Sequence, residues 1–140
     1  MTLDELEKSL PSGFHDADVA SLRIDYVRRE VVIEMDISVG LPDDGPDERD
    51  AYRLATVTIS GLLYCCIEPP FPDYPYQVAG PLWVDSGSVE SMKWPPEMKL
   101  PGPVPQGAFA HYIYVSSWNS CIYISAHSAS IEWQGEARTR

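Results

Sequence analysis

Residues Gly13–Gly40 read GFHDADVASLRIDYVRREVVIEMDISVG. From Leu22 this stretch alternates, with Leu22, Ile24 and Tyr26 on one side and Ser21, Arg23 and Asp25 on the other. After Val27-Arg28-Arg29-Glu30 the alternation resumes, Val31, Ile33, Met35, Ile37 and Val39 sharing one face and Glu34, Asp36 and Ser38 the other. A period of two with one apolar and one polar face marks a half-buried antiparallel strand. Centring the reversal on Arg28-Arg29 sets Tyr26 opposite Val31, Ile24 opposite Ile33, Leu22 opposite Met35 and Arg23 opposite Glu34. A slip of one residue would put apolar beside polar rows, so the faces are well specified. Arg-Arg lacks the Gly or Asn of two-residue hairpin turns, and a four-residue loop suits it better.

Working outward, Thr2–Leu10 predicts a short helix. Thr2 and Glu5 form a capping-box pair, Leu3, Leu6 and Leu10 share one side, and Pro11-Ser12-Gly13 stops it. Leu41–Asp50 (LPDDGPDERD) is an acidic loop whose carboxylate spacing does not follow the calcium-loop pattern. Ala51–Ile67 predicts a third strand, broken near Gly61, with the apolar run Leu62–Ile67 expected to be covered on both faces.

Residues 69–107 change character, holding ten of the thirteen prolines together with Phe71, Tyr74, Tyr76, Trp83 and Trp94. The aromatics are too many for a disordered linker. An ordered excursion packed on the sheet is expected, with only Pro81–Asp85 as a short extended element. Phe109, His111, Ile113 and Val115 then alternate with Ala110, Tyr112 and Tyr114, and Ile122, Ile124 and Ala126 return after Ser117-Trp118-Asn119-Ser120. Centring that reversal on Trp118-Asn119 pairs Val115 with Ile122, Ile113 with Ile124 and Tyr114 with Tyr123, and brings His127 near Ala110. Ile131–Trp133 is a last short strand, and 135–140 is expected to be a loose tail. The fold class expected is therefore one mainly β domain over 1–140: an antiparallel sheet or sandwich of five to seven strands with a short N-terminal helix.

Composition bounds the function. The net charge is −11 and no basic stripe is present, which excludes nucleic acid. A negative field suits solubility and can steer a basic partner. No run approaches the length of a membrane-spanning helix. The amphipathic, acidic N-terminus is unlike a signal peptide, so a cytoplasmic location is expected. Three cysteines, two of them adjacent, read as buried free thiols rather than a disulfide framework.

Gly13-Phe14-His15-Asp16-Ala17-Asp18, the Leu22–Tyr26 strand and the Cys121–Ala126 strand together resemble a group of small bacterial proteins. These open on a Phe-His-Asp-Ala/Gly-type motif, and some are labelled as immunity proteins of polymorphic-toxin systems. The likeness covers the first third and the last strands, not the proline-rich excursion. It implies a mainly β fold and binding to another protein, and it carries over no catalytic residue.

The residues that could carry chemistry are few. His15 and Asp16 pair an imidazole with a carboxylate, as ligand sites and general bases do. Adjacent residues of an extended chain point apart, however, so they share a site only if the backbone turns. Asp16 as a turn acceptor and His15 packed beside Phe14 is the competing reading. His111, on an apolar face, reads as a hydrogen-bonded core histidine. His127 with Tyr112, Tyr114, Tyr123 and Ser125 is a candidate ligand-binding surface of polar groups on aromatic walls. Trp83, Trp94, Phe71, Tyr74 and Tyr76 are candidate partner-binding anchors or, equally, the excursion's own small core. No phosphate loop, nucleophile elbow or paired-cysteine motif is present, and no catalytic residue, metal or cofactor is expected. The chain is read as a non-catalytic protein-binding module, an immunity-type inhibitor of a basic partner. Two alternatives stay open: a small-ligand-binding or enzymatic β domain, and a self-associating subunit forming a homodimer.

Overall fold

The computed structural model describes residues 1–74 and 80–140. The elements run α1 (Leu3–Lys8), β1 (Ala17–Asp25), β2 (Glu30–Ser38), α2 (Pro46–Arg49), β3 (Ala51–Ser60), β4 (Tyr64–Ile67), β5 (Leu82–Ser88), a 3-10 turn (Val89–Ser91), β6 (Phe109–Val115), β7 (Ser120–Ala126) and β8 (Ser128–Thr139). The strands form one antiparallel sheet of eight, where the alternation alone resolved five to seven.

Both expected hairpins form, and both turn in the same way. β1 and β2 pair Leu22 with Ile33, Ile24 with Val31 and Asp25 with Glu30. β6 and β7 pair Ile113 with Ile122, Val115 with Ser120 and Tyr114 with Cys121. Each register is two residues away from the expected one, because each four-residue loop sits one position earlier in the chain, at Tyr26–Arg29 and Ser116–Asn119. The last loop residue is left-handed in both, Arg29 at φ 55° and Asn119 at φ 48°. Asp25 Oδ1 holds the first loop by accepting from Arg28 N–H at 2.9 Å. A shift of two keeps every side chain on its face, so hydrophobic alternation cannot choose between these registers and turn chemistry does. Consequently Arg23 faces Val32 rather than Glu34, Ser21 donates to Glu34 instead (2.9 Å), and Tyr26 stands out in solvent.

The hydrogen-bonded order is β4-β7-β6-β5-β1-β2-β3-β8. Its two ends belong to continuous ribbons. β4 follows β3 across a corner at Gly61 (φ 70°), and β8 follows β7 after His127 alone. Pairing is carried round the corner by Leu63 N–H to Ser125 O (2.7 Å) and His127 N–H to Ser60 O (3.2 Å). The circuit therefore closes into a barrel-like sheet, in which β4 and β8 each keep one side without a strand partner among the described residues. The join is β5, which pairs with β6 on one side and through three residues with β1 on the other. The proline-rich stretch expected to be an excursion thus contributes a structural strand.

The interior is lined by Val31, Ile33, Met35, Ile37, Val57, Ile59, Ile113, Val115, Ile122 and Ile124. Helix α1 packs on β6 and β8 and adds Leu3 and Leu6, both fully buried; each such leucine contributes about 1.5–3 kcal/mol. Its capping box forms as the sequence indicates. Glu7 on the same helix reaches β5 and β6: its Oε2 lies 2.9 Å from His111 Nε2, and its Oε1 accepts from Ser86 Oγ. Burial alone would raise the Glu7 pKa, but the hydrogen bonds and charge of His111 and Ser86 bring it below the ordinary carboxylate value.

Two further expectations are corrected. Residues 135–140 are not a loose tail: β8 runs to Thr139, with Arg138 on Asp36 (2.7 Å) and Arg140 on Asp18 (2.5 Å). The run Leu62–Ile67 is not covered on both faces, since β4 flanks only β7, and Leu63 and Ile67 are exposed. The strand covered on both faces is β7, buried at every position. No helix among the described residues is long and apolar enough to cross a membrane.

Candidate functional site

What covers the outer side of β7 defines the site. The chain leaving β4 turns back over β7: Glu68 N–H donates to Cys121 O (3.0 Å) and Phe71 N–H to Trp118 O (2.9 Å). On the other side Trp94 meets Tyr112 edge to face, ring centroids 6.2 Å apart. Between these segments and the sheet lies a cleft of ≈ 540 Å³, lined by Glu68, Phe71, Trp94, Glu97, Tyr114, Asn119, Ser120, Cys121 and Tyr123.

Glu68 forms the buried end of this cleft, at 4% exposure. Its Oε1 accepts from the Cys121 N–H at 2.8 Å and the Tyr123 hydroxyl at 3.2 Å. Burial raises the Tyr123 pKa, which keeps the phenol a donor. Burial also pushes the Cys121 thiol up to about 11 and Cys65 to about 11, far from the thiolate a nucleophile needs. Tyr114 donates to Asn119 Oδ1 (2.9 Å) at the mouth.

A second, shallower cleft of ≈ 250 Å³ adjoins the first through Tyr114 and is lined by His15, Asp16, Trp83, Val84, Asp85, Tyr114 and Ser116. His15 sits between two carboxylates, its Nε2 3.4 Å from Asp16 and its Nδ1 3.3 Å from Asp85. Neighbours in an extended chain would point apart, but Asp16 has φ 60° and the chain turns there, bringing both side chains to one place.

Comparison with protein-family models, curated proteins and solved structures finds no match. Function must therefore be read from the geometry alone.

The candidate residues divide. Tyr123 lines the main cleft, and Tyr112 supports its wall through Trp94. Cross-strand, Tyr123 pairs with Tyr112 rather than with Tyr114. His127 does not join them: it is exposed at the β7–β8 corner, packed against Gly61. His15 and Asp16 come together, but in the neighbouring cleft. Trp83 (55% exposed) and Trp94 (48%) stand on these two clefts, and Tyr74 is exposed near Tyr114, where its phenol adds to the burial that raises the Tyr114 pKa. Tyr76 lies outside the described residues. The three histidines lie in three separate places, and no group of three or more potential metal-binding side chains converges among the described residues.

Glu68, Asn119 and Asp85 were not singled out from the sequence as site residues, whereas Phe71 and Tyr114 stood among its aromatic candidates. Glu68 carried one usable signal: a lone carboxylate between an apolar run and Pro69-Pro70, in a place where solvent is not assured.

Proposed function

We propose that this chain is a non-catalytic protein-binding module whose outer β5–β6–β7 face receives a basic partner, in the manner of an inhibitor that covers a cationic surface. The observation that carries the reading is the coincidence of exposed Trp83 and Trp94 with two adjoining clefts whose charged lining is acidic. Glu68, Glu97, Asp16 and Asp85 supply that charge, and neither lining contains a lysine or arginine. Aromatic anchors inside a like-charged rim are how binding surfaces combine affinity with orientation. The chain's net charge of −11 would accelerate encounter with a cationic surface and make it salt-sensitive.

The test is affinity capture with the folded chain at low and high salt, followed by reconstitution with the purified captured protein. The expected result is a basic partner released by salt and lost when Trp83 and Trp94 are both replaced by alanine. A reconstituted partner indifferent to both salt and the double substitution would remove this reading. His15 between Asp16 and Asp85 supports a second reading, a small-ligand site in the shallower cleft, which titration with small ligands under NMR detection would reveal.

A further inference from the structure

Glu68 poses a problem that the fold does not solve. It is 4% exposed, and none of the ion pairs among the described residues includes it. Residues 75–79, Pro-Tyr-Gln-Val-Ala, contain no basic side chain that could supply the missing charge. Both hydrogen bonds it receives go to Oε1; Oε2 accepts none among the described residues and is not among the buried atoms left without a partner, so it opens onto the cleft. In the same wall Ser120, likewise 4% exposed, has a buried Oγ with no partner among the described residues. Withdrawing a carboxylate from water without a cation is costly, and native proteins rarely tolerate it without a reason. Here the carboxylate faces an open cleft rather than a sealed core.

We infer that the cleft is a guanidinium subsite: an arginine side chain of the basic partner passes between Trp94 and Tyr114 and sets its N–H fork on Glu68. Arginine is favoured over lysine because the walls are aromatic. A planar, weakly hydrated guanidinium stacks on such walls and still offers several donors in one plane, whereas an ammonium is a compact, strongly hydrated charge. Glu68 Oε2 and Asn119 Oδ1 provide acceptors at the end and the mouth of the cleft. The source of the arginine rests on the protein-binding reading above; the subsite itself does not.

The experiment is NMR titration of the full-length chain with N-acetyl-arginine amide, with N-acetyl-citrulline amide as its neutral isostere. The expected result is weak, saturable binding that shifts the Cys121 amide, whose N–H donates to Glu68, and the Trp94 indole. Citrulline amide should bind at least about tenfold more weakly, as charge-assisted hydrogen bonds are lost, and Glu68→Gln should weaken arginine amide similarly. Equal responses to the two amides, shifts confined to other parts of the barrel, or undiminished binding by a folded E68Q would overturn the subsite. If E68Q loses its dispersed spectrum, Trp94→Ala decides instead. Its side chain is half exposed, and its loss should weaken binding about threefold; an unchanged affinity overturns the proposal. Arginine amide binding in the cleft, together with a captured partner indifferent to Trp83 and Trp94, would keep the subsite and remove the protein-binding reading. A Trp-dependent basic partner with no arginine amide binding would do the reverse.

Discussion

Two glutamates are withdrawn from solvent in this barrel, and they are handled in opposite ways. Glu7 reaches β5 and β6 from α1 and finds His111 Nε2, the Ser86 hydroxyl and, more distantly, the Phe14 N–H around its two oxygens. Glu68 enters the outer cleft and finds donors for one oxygen and no cation. The first arrangement ties a helix to a sheet. The second leaves one carboxylate oxygen open to the cleft. A buried ionised group with its partners in place is part of the fold, whereas one without them is a candidate for recognition.

The largest effect should come from breaking the satisfied site. Glu7→Ala strands a 1%-exposed imidazole whose Nδ1 already lacks a partner among the described residues. Urea unfolding at neutral pH should show a loss of about 2–4 kcal/mol. A loss below about 1 kcal/mol would mean that the tether is ornamental.

The same site sets a pH dependence. The folded-state pKa of Glu7 is depressed, so its stabilisation is complete above the unfolded value, near 4.5, and fades as pH falls through the lower folded value. The stability gap between wild type and Glu7→Ala should therefore be widest at neutral pH and shrink below about pH 4.5. A gap that stayed constant from pH 7 to pH 3 would contradict the ionic account of this pair.

The chain also shows how it treats acids it intends to neutralise at the surface. Asp18 and Asp36 are met by Arg140 and Arg138, and Arg140 also lies over the Tyr52 ring, 3.7 Å from its centroid. Because that cluster is partly solvated, Arg140→Ala should cost less than about 1 kcal/mol in the same assay. A larger loss would place the end of β8 among the elements that hold the barrel closed.

Much of the interior was legible from residue alternation, because a two-residue period assigns faces whatever the register. Leu22 packs against the core, and Ile33, Ile113 and Ile124 lie within it, as that period requires. The registers themselves were not legible, since Arg29 and Asn119 take left-handed conformations that close the four-residue loops one position earlier than alternation had centred them. β5 was half visible: its short Leu82-Trp83-Val84 core hides among prolines, and only pairing with β1 and β6 makes it a strand. Much of the site was not legible for a related reason. Glu68 and Tyr123 are 55 positions apart in the chain and meet only because β4 runs beside β7. His127 was misplaced because nothing in the Ala126-His127-Ser128 tripeptide announces that the ribbon changes sheet partners there.

The most direct test is the unfolding free energy of Glu68→Gln at neutral pH without ligand. Gln keeps the shape and the acceptor for Cys121 and Tyr123 while removing the carboxylate. The expected result is a protein as stable as wild type to within about 1 kcal/mol, or more stable. A loss as large as that of Glu7→Ala would show Glu68 to be a structural group like its counterpart, and the distinction between the two glutamates would fall.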